Sequence, residues 1–238
     1  MATIAPVRDF AFTFWQKMAL GLAVFVLFSF VQSGLRNLAD LRAVPVWEHL
    51  LAAVIVGWLS LFVTQPTLVR RGLVAQHRQL GGLALGVAVG LVLLFGFSAV
   101  MAVRDGAVPS FFAPSYFLAL NAIGIAGFVA LLGAAAVTAG KDLEAHRRYI
   151  VGANVLLLEP ALDRLLPMPL MAPWGEFAVM LAQLGVLGLL ARHDLRTLGT
   201  VHRATLAGMA TVAILHSFTE MVGRLPAMQA IAAGIAAS

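Results

Sequence analysis

The side chains best suited to chemistry lie in two segments of the C-terminal half of the chain. His216, Glu220 and Arg224 recur every four residues, which places them on one face of a helix. Glu159 and Asp163 are also four residues apart. Imidazole and carboxylate groups at this spacing can exchange protons, bind a small polar ligand or share a metal ion. The full candidate cluster consists of Asn154, Glu159, Asp163, Arg164, Glu176, His216, Glu220 and Arg224.

Glu159 and His216 are expected to meet inside the protein. Counted from the start of the apolar runs that carry them, they lie at similar depths, roughly 18 Å and 20 Å at 1.5 Å per residue. An ionisable side chain in lipid costs several kcal/mol unless it is paired or faces water, so both should point inward. Two interpretations stay open: a hydrogen-bonded pair that locks two helices together, or a site that handles protons or a ligand.

A second constellation consists of three histidines, His77, His146 and His202, each followed by an arginine. All three precede apolar runs on the same predicted side of the membrane, and neutral imidazoles from three helices can bind a metal ion. Alternatively, each His-Arg pair contacts lipid phosphate and water at the membrane surface. The sequence therefore leaves haem or metal binding open as a cofactor hypothesis.

The amino-acid composition indicates whether the helices that carry these residues lie in water or in a membrane. The chain has 238 residues, of which 61% are hydrophobic and 11% charged, and its mean hydropathy is +0.93. A soluble domain is about 25% charged, so this composition is typical of a membrane protein. The absence of cysteine excludes disulfides, Cys-ligated zinc and iron–sulfur clusters. The basic residues form no patch interleaved with aromatics, which argues against a nucleic-acid partner.

Apolar runs of roughly 20 residues are long enough to cross a bilayer as helices. Seven such runs predict an all-α transmembrane bundle that forms a single domain over residues 1–238. An apolar tail, Leu225–Ser238, is expected to form a half-helix at the outer surface. The seven predicted spans are Met18–Leu35, Glu48–Gln65, Gln79–Val103, Ser115–Ala139, Tyr149–Leu166, Glu176–Leu190 and Ala204–Val222.

Loop charges predict the orientation of these spans. Of the 16 Lys and Arg residues, eleven fall on the side that holds the N-terminus and five on the other side. Positive charge is retained in the cytoplasm, so the N-terminus is predicted to be cytoplasmic and the C-terminus outside. Membrane lipids are then the expected partners, together with other membrane subunits if the protein belongs to a complex.

A weak internal repeat divides the chain after the first span into three helical hairpins, 48–103, 115–166 and 176–222. A His-Arg pair and then a glycine recur at the start of the inner-to-outer helices, with glycines at Gly81, Gly152 and Gly208. A second set of small residues, Gly82 and the glycines four and eight residues later, lies on one stripe of the third span. Such stripes predict close helix packing.

The region 140–210 resembles an uncharacterised group of multi-span proteobacterial inner-membrane proteins. The residues that carry the resemblance are His146-Arg147-Arg148, then Glu159-Pro160-Ala161 with Arg164, and the stretches Asp194–Gly199 and His202–Leu206. The resemblance implies a bacterial inner membrane and no particular activity. His216 and Glu220 lie outside the shared pattern.

Three classes of function follow from these patterns. The favoured one is a non-enzymatic membrane subunit or small-ligand-binding protein, with the polar cluster in the outer half of the bundle. The second is a redox protein that holds haem or a metal through histidines. The third is a proton-coupled transporter or a lipid-modifying membrane enzyme that uses Glu159 and His216 for proton transfer.

Overall fold

A computed structural model describes residues 11–36, 43–171 and 174–238 of the chain. The described residues form α-helices, one short 3₁₀ turn at Met168–Leu170 and no strand, which confirms the predicted all-α fold. The helices are α1 (Phe14–Arg36), α2 (Val46–Arg70), α3 (Val74–Arg104), α4 (Pro114–Thr138), α5 (Leu143–Leu156), α6 (Glu159–Leu165), α7 (Gly175–Leu198), α8 (Arg203–Gly223) and α9 (Pro226–Ala236).

Six of these helices, α1 to α4, α7 and α8, are long and apolar enough to cross a membrane. Large apolar side chains cover their outward faces: Phe28 on α1 and Leu93 on α3 are 59% and 66% exposed. In water such a surface would be unfavourable, whereas lipid tails solvate it. The protein is therefore an integral membrane protein. We call the end that holds the α4–α5 and α7–α8 connections the inner end, following the predicted orientation, and the opposite end the outer end.

The fifth predicted span is a broken passage rather than one continuous helix. Its start lies at the inner end, where Asp142 accepts a hydrogen bond from Arg203 at the beginning of α8, and its end lies beside His216, late in α8. α5 stops at Leu156 because Pro160 has no N–H to donate to the carbonyl of that residue and its ring would clash with it. The chain therefore restarts as the two-turn helix α6, which begins with Glu159.

α5 can carry polar side chains because its neighbours shield it from lipid. Residues 151–156 are all buried, and the helix packs against α4, α7 and α8. A Cβ built on Gly152 would lie 3.6 Å from the Cα of Gly208 on α8, so the two backbones approach closely. The repeat glycines thus set the spacing of α5 and α8. By contrast, Gly82, Gly86 and Gly90 on α3 face open space within this chain, so the packing expected at that stripe is not observed.

Consecutive helices are neighbours in three places: α2 packs on α3, α4 on α5, and α7 on α8. The apolar tail forms α9, an 11-residue helix that is too short to cross a membrane. Ala232 on α9 packs against Val103 of α3 and Leu118 of α4. The tail therefore covers the outer ends of these two helices.

Candidate functional site

The centre of the outer cluster is the contact between Glu159 and His216. The Oε2 atom of Glu159, at the first turn of α6, lies 3.4 Å from Nε2 of His216 on α8. Both residues are almost fully enclosed, at 8% and 9% exposure. Glu159 is the first residue after the break between α5 and α6, and α6 packs against α1 and α7. The structure thus brings together the two residues whose depths match in the sequence.

Glu176 joins this pair from the first turn of α7. Its Oε2 atom lies 3.6 Å from the second imidazole nitrogen of His216, Nδ1. One potential ligand atom from each of Glu159, Glu176 and His216 lies within 4.8 Å of the other two, the only such group of three among the described His, Asp and Glu residues. We call these three residues the outer triad.

Gln183 on α7 connects two members of the outer triad and is completely buried. Its amide Nε2 donates to Glu159 Oε2 at 2.9 Å, and its Oε1 lies 3.2 Å from His216 Nε2. An amide oxygen only accepts, so His216 must carry its proton on Nε2 to complete this contact. Nδ1 of a neutral His216 is then a bare lone pair that points toward Glu176.

Several buried atoms around the outer triad make no hydrogen bond within the described part of the chain. They are Glu159 Oε1, both carboxylate oxygens of Glu176, His216 Nδ1 and Asp163 Oδ1. The Tyr116 hydroxyl lies near the Glu176 carboxylate but makes no hydrogen bond of normal geometry with it. Because buried polar atoms are nearly always paired in folded proteins, this concentration of acceptors without a protein partner makes the outer triad the candidate binding region.

A cavity of about 330 Å³ adjoins the outer triad at the outer end of the bundle. Gly223 allows its wall to form, since a Cβ there would lie 2.8 Å from the Cα of Tyr116. Glu220 and Arg224 line the cavity, are mostly exposed and form an ion pair with each other. They therefore belong to the rim of the cavity, and Glu176 is the triad residue that lines it.

Two members of the predicted cluster have other roles. Asn154 lies deeper, where its Oδ1 accepts from Trp58 Nε1 at 2.9 Å and ties α5 to α2. The Arg164 guanidinium donates to the backbone carbonyl of Pro160 and lies 4.3 Å from the ring of Phe30 on α1. Consequently, Arg164 forms no ion pair with Glu159 or Glu176, and His216 is the only basic partner of these carboxylates in the described ranges.

The three inner histidines do not converge in the same way. The rings of His77 and His146 lie 6.4 Å apart, and Nδ1 of His146 contacts the Ala135 carbonyl at 2.8 Å. His202 caps α8, because its Nδ1 accepts a hydrogen bond from the Ala204 N–H at 3.1 Å. Two of the three imidazoles therefore already contact the backbone through one ring nitrogen.

Sequence reasoning missed a buried ion pair at the inner end. Arg148 on α5 donates from Nε and Nη2 to Asp194 Oδ1 at 2.9 and 2.6 Å, and both side chains are fully buried. The other oxygen of Asp194 accepts from the Thr205 hydroxyl and the His202 N–H. We call Arg148, Asp194 and Thr205 the inner network.

A signal for both regions was present in α7. Gln183 follows Glu176 by seven residues and Asp194 follows Gln183 by eleven, which are about two and three helical turns. All three polar residues therefore lie on one face of an otherwise apolar helix. That face points into the bundle and connects the outer triad with the inner network.

Outside the helices, Asp142 has a lowered pKa because the Ala145 N–H donates to its carboxylate and Arg203 lies beside it. It caps the start of α5 at the inner end.

Comparison of the chain with protein-family models, curated proteins and solved structures finds no match.

Proposed function

We propose that this integral membrane protein binds a small cationic ligand at the outer end of its bundle and acts as a ligand-binding protein or membrane subunit rather than as an enzyme. The observation that supports the proposal is the group of unpaired carboxylate oxygens of Glu159 and Glu176 beside the cavity.

The charge balance of the site favours a cation. Glu159 and Glu176 both contact His216, Asp163 lies one turn further along α6 beside Arg164, and burial makes repulsion between carboxylates stronger than it would be in water. No Lys or Arg of the described residues forms an ion pair with any of the three. A bound cation would relieve the repulsion and occupy the unpaired oxygens at once. Protonation of the carboxylates is the competing way to neutralise the site.

We further propose a bacterial inner membrane as the location, with the cavity facing outward. The resemblance of residues 140–210 and the excess of basic residues at the inner end support this assignment. A reporter fused after Ser238 should be active outside the cytoplasm, whereas one fused near Gly140 should be active inside. A cytoplasmic reporter at both positions would contradict the assignment.

Thermal unfolding of the purified protein in nanodiscs tests the ligand proposal. The panel should contain divalent metal ions, ammonium, methylammonium and tetramethylammonium. A ligand present at 100 times its Kd stabilises the folded state by about 2.7 kcal/mol, which corresponds to a Tm increase of roughly 5–10 °C for a chain of this size.

Two matched variants show where the ligand binds. Glu176→Gln removes a carboxylate of the outer triad, so the Tm increase should disappear. Asp105→Asn removes an exposed carboxylate at the outer end that is paired with Arg104 and does not line the cavity, so the increase should remain. If no cation raises the Tm, or if Glu176→Gln keeps the full increase, the proposal is wrong.

A further inference from the structure

We infer that the outer triad is a binding site for a divalent transition-metal ion, with His216 Nδ1 and one carboxylate oxygen from each of Glu159 and Glu176 as ligands. The inference rests on the proposed function and names the class of its ligand.

The free atoms are those that a metal ion requires. Gln183 occupies Glu159 Oε2 and His216 Nε2, and leaves Glu159 Oε1, His216 Nδ1 and both oxygens of Glu176 without a hydrogen bond. A metal-binding histidine usually donates its other ring N–H to an acceptor that fixes its orientation. Gln183 Oε1 is in that position. It is therefore a positioning residue for the site.

The distances fit a small coordination sphere. Zinc bonds of about 2.0–2.2 Å in tetrahedral geometry place neighbouring ligand atoms ~3.4 Å apart. His216 Nδ1 and Glu176 Oε2 are 3.6 Å apart, and one atom from each triad residue lies within 4.8 Å of the others. Binding an ion therefore requires the carboxylates to move closer together by up to about 1.4 Å. Three protein ligands leave at least one coordination position for water or another group.

The ligand set selects among metals. One imidazole and two carboxylates suit Zn²⁺, Mn²⁺, Fe²⁺ and Co²⁺, since imidazole favours these ions over Ca²⁺ and Mg²⁺, which prefer oxygen ligands alone. The absence of cysteine in the chain argues against Cu⁺. An ion can reach the triad through the cavity, because Glu176 is the least buried of the three, with 23% of its side chain exposed.

Equilibrium binding of Zn²⁺ to the full chain in nanodiscs, with metal analysis after buffer exchange, tests the inference. We expect one Zn²⁺ per chain and at least tenfold weaker binding of Ca²⁺. Substitution with Co²⁺ should give a visible absorption band of a low-symmetry site, which is a readout independent of any activity.

The variants separate ligand, positioning and control residues. Glu176→Gln and His216→Gln should each weaken Zn²⁺ binding by more than a hundredfold, and Asp105→Asn, which removes an exposed carboxylate beside Arg104 at the outer end, should leave it unchanged. Gln183→Met removes the positioning contact and should weaken binding by about ten- to a hundredfold while changing the Co²⁺ spectrum. Because Glu176 is partly exposed, its variant is expected to fold even if a substitution at His216 prevents folding.

The outcomes distinguish this inference from the proposed function. Zn²⁺ binding of equal strength in the wild type and Glu176→Gln would place the ion elsewhere and overturn the metal site. If an organic cation raises the Tm in a Glu176-dependent way while Zn²⁺ does not bind, the proposed function holds and the metal site is wrong. Absence of binding by every cation would overturn both.

Discussion

The inner network and the outer triad bury similar groups with opposite results. In the inner network, Arg148 faces Asp194 directly, and the remaining oxygen of Asp194 is used by Thr205 and a backbone N–H. In the outer triad, Glu159 and Glu176 share a single histidine and keep unpaired oxygens. A buried charge with every partner in place stabilises a particular arrangement of helices, whereas one without partners is costly unless a ligand supplies them. The difference separates a structural region from a candidate binding site.

The largest effect is expected from breaking the inner network. Arg148→Leu leaves the buried Asp194 carboxylate without its cation, and removal of one partner of a buried ion pair costs about 3–5 kcal/mol. Denaturant titration of the purified protein in detergent measures this loss. Arg203→Gln is a suitable control, because its ion pair with Asp142 is exposed to solvent and therefore contributes little to stability. Equal losses in the two variants would show that the inner network has no special structural role.

The next effect concerns the pair at the centre of the outer triad. Glu159→Leu and His216→Leu should each reduce stability by about 1–3 kcal/mol, since the surviving partner stays buried. The double variant should lose less than the sum, with a coupling of about 0.6 kcal/mol and at most about 1.7. A double-mutant cycle based on unfolding free energies measures the coupling. Strictly additive losses would mean that the 3.4 Å contact contributes nothing to stability.

A smaller effect is expected from the inner histidines. The triple variant His77→Gln, His146→Gln, His202→Gln should stay folded and lose about 1 kcal/mol, mainly because the imidazole cap of α8 is removed. The amount of bound metal should not change if the outer triad is the metal site. Loss of stoichiometric metal or of a haem spectrum in this variant would show that the binding site is at the inner end.

The smallest effect concerns acid stability at the inner end. The pKa of Asp142 is lowered in the folded protein, so its stabilising contribution is present above the unfolded pKa of about 4 and is lost as the pH falls through the lowered folded value. The Tm difference between wild type and Asp142→Asn should therefore shrink between pH 5 and pH 3. A difference that is constant over this range would show that the charge of Asp142 is unimportant.

Depth within the bundle could be predicted from the sequence, whereas the pairing of particular helix faces could not. Counting residues from the span ends was enough to place Glu159 and His216 at one level. The partner of Arg148 was missed because the sequence does not show which face of α5 meets which face of α7. Pro160 can be recognised in the sequence as a helix breaker, but whether a break is tolerated depends on burial. In a lipid-facing helix the break would expose backbone N–H and C=O groups to lipid, whereas here the neighbouring helices enclose the break.

The polar face of α7 was the signal left unused. Read together, Glu176, Gln183 and Asp194 indicate that this helix faces the interior along its whole length. That pattern would have predicted Gln183 as a member of the site, since an amide in the middle of an apolar helix needs a partner. It would not have shown that Asp194 has hydrogen-bond partners whereas the Glu176 oxygens have none, because that difference depends on the helices that face α7.

The break between α5 and α6 has a mechanical consequence. Glu159 is not held by a continuous helix but by a two-turn segment, and the hydroxyl of Ser29 on α1 donates to the Ala161 carbonyl of that segment at 2.7 Å. Glu176 and His216 stand on long helices that α1 does not grip in this way. The position of α1 is therefore expected to affect Glu159 more directly than Glu176 or His216, which couples the first helix to the geometry of the triad.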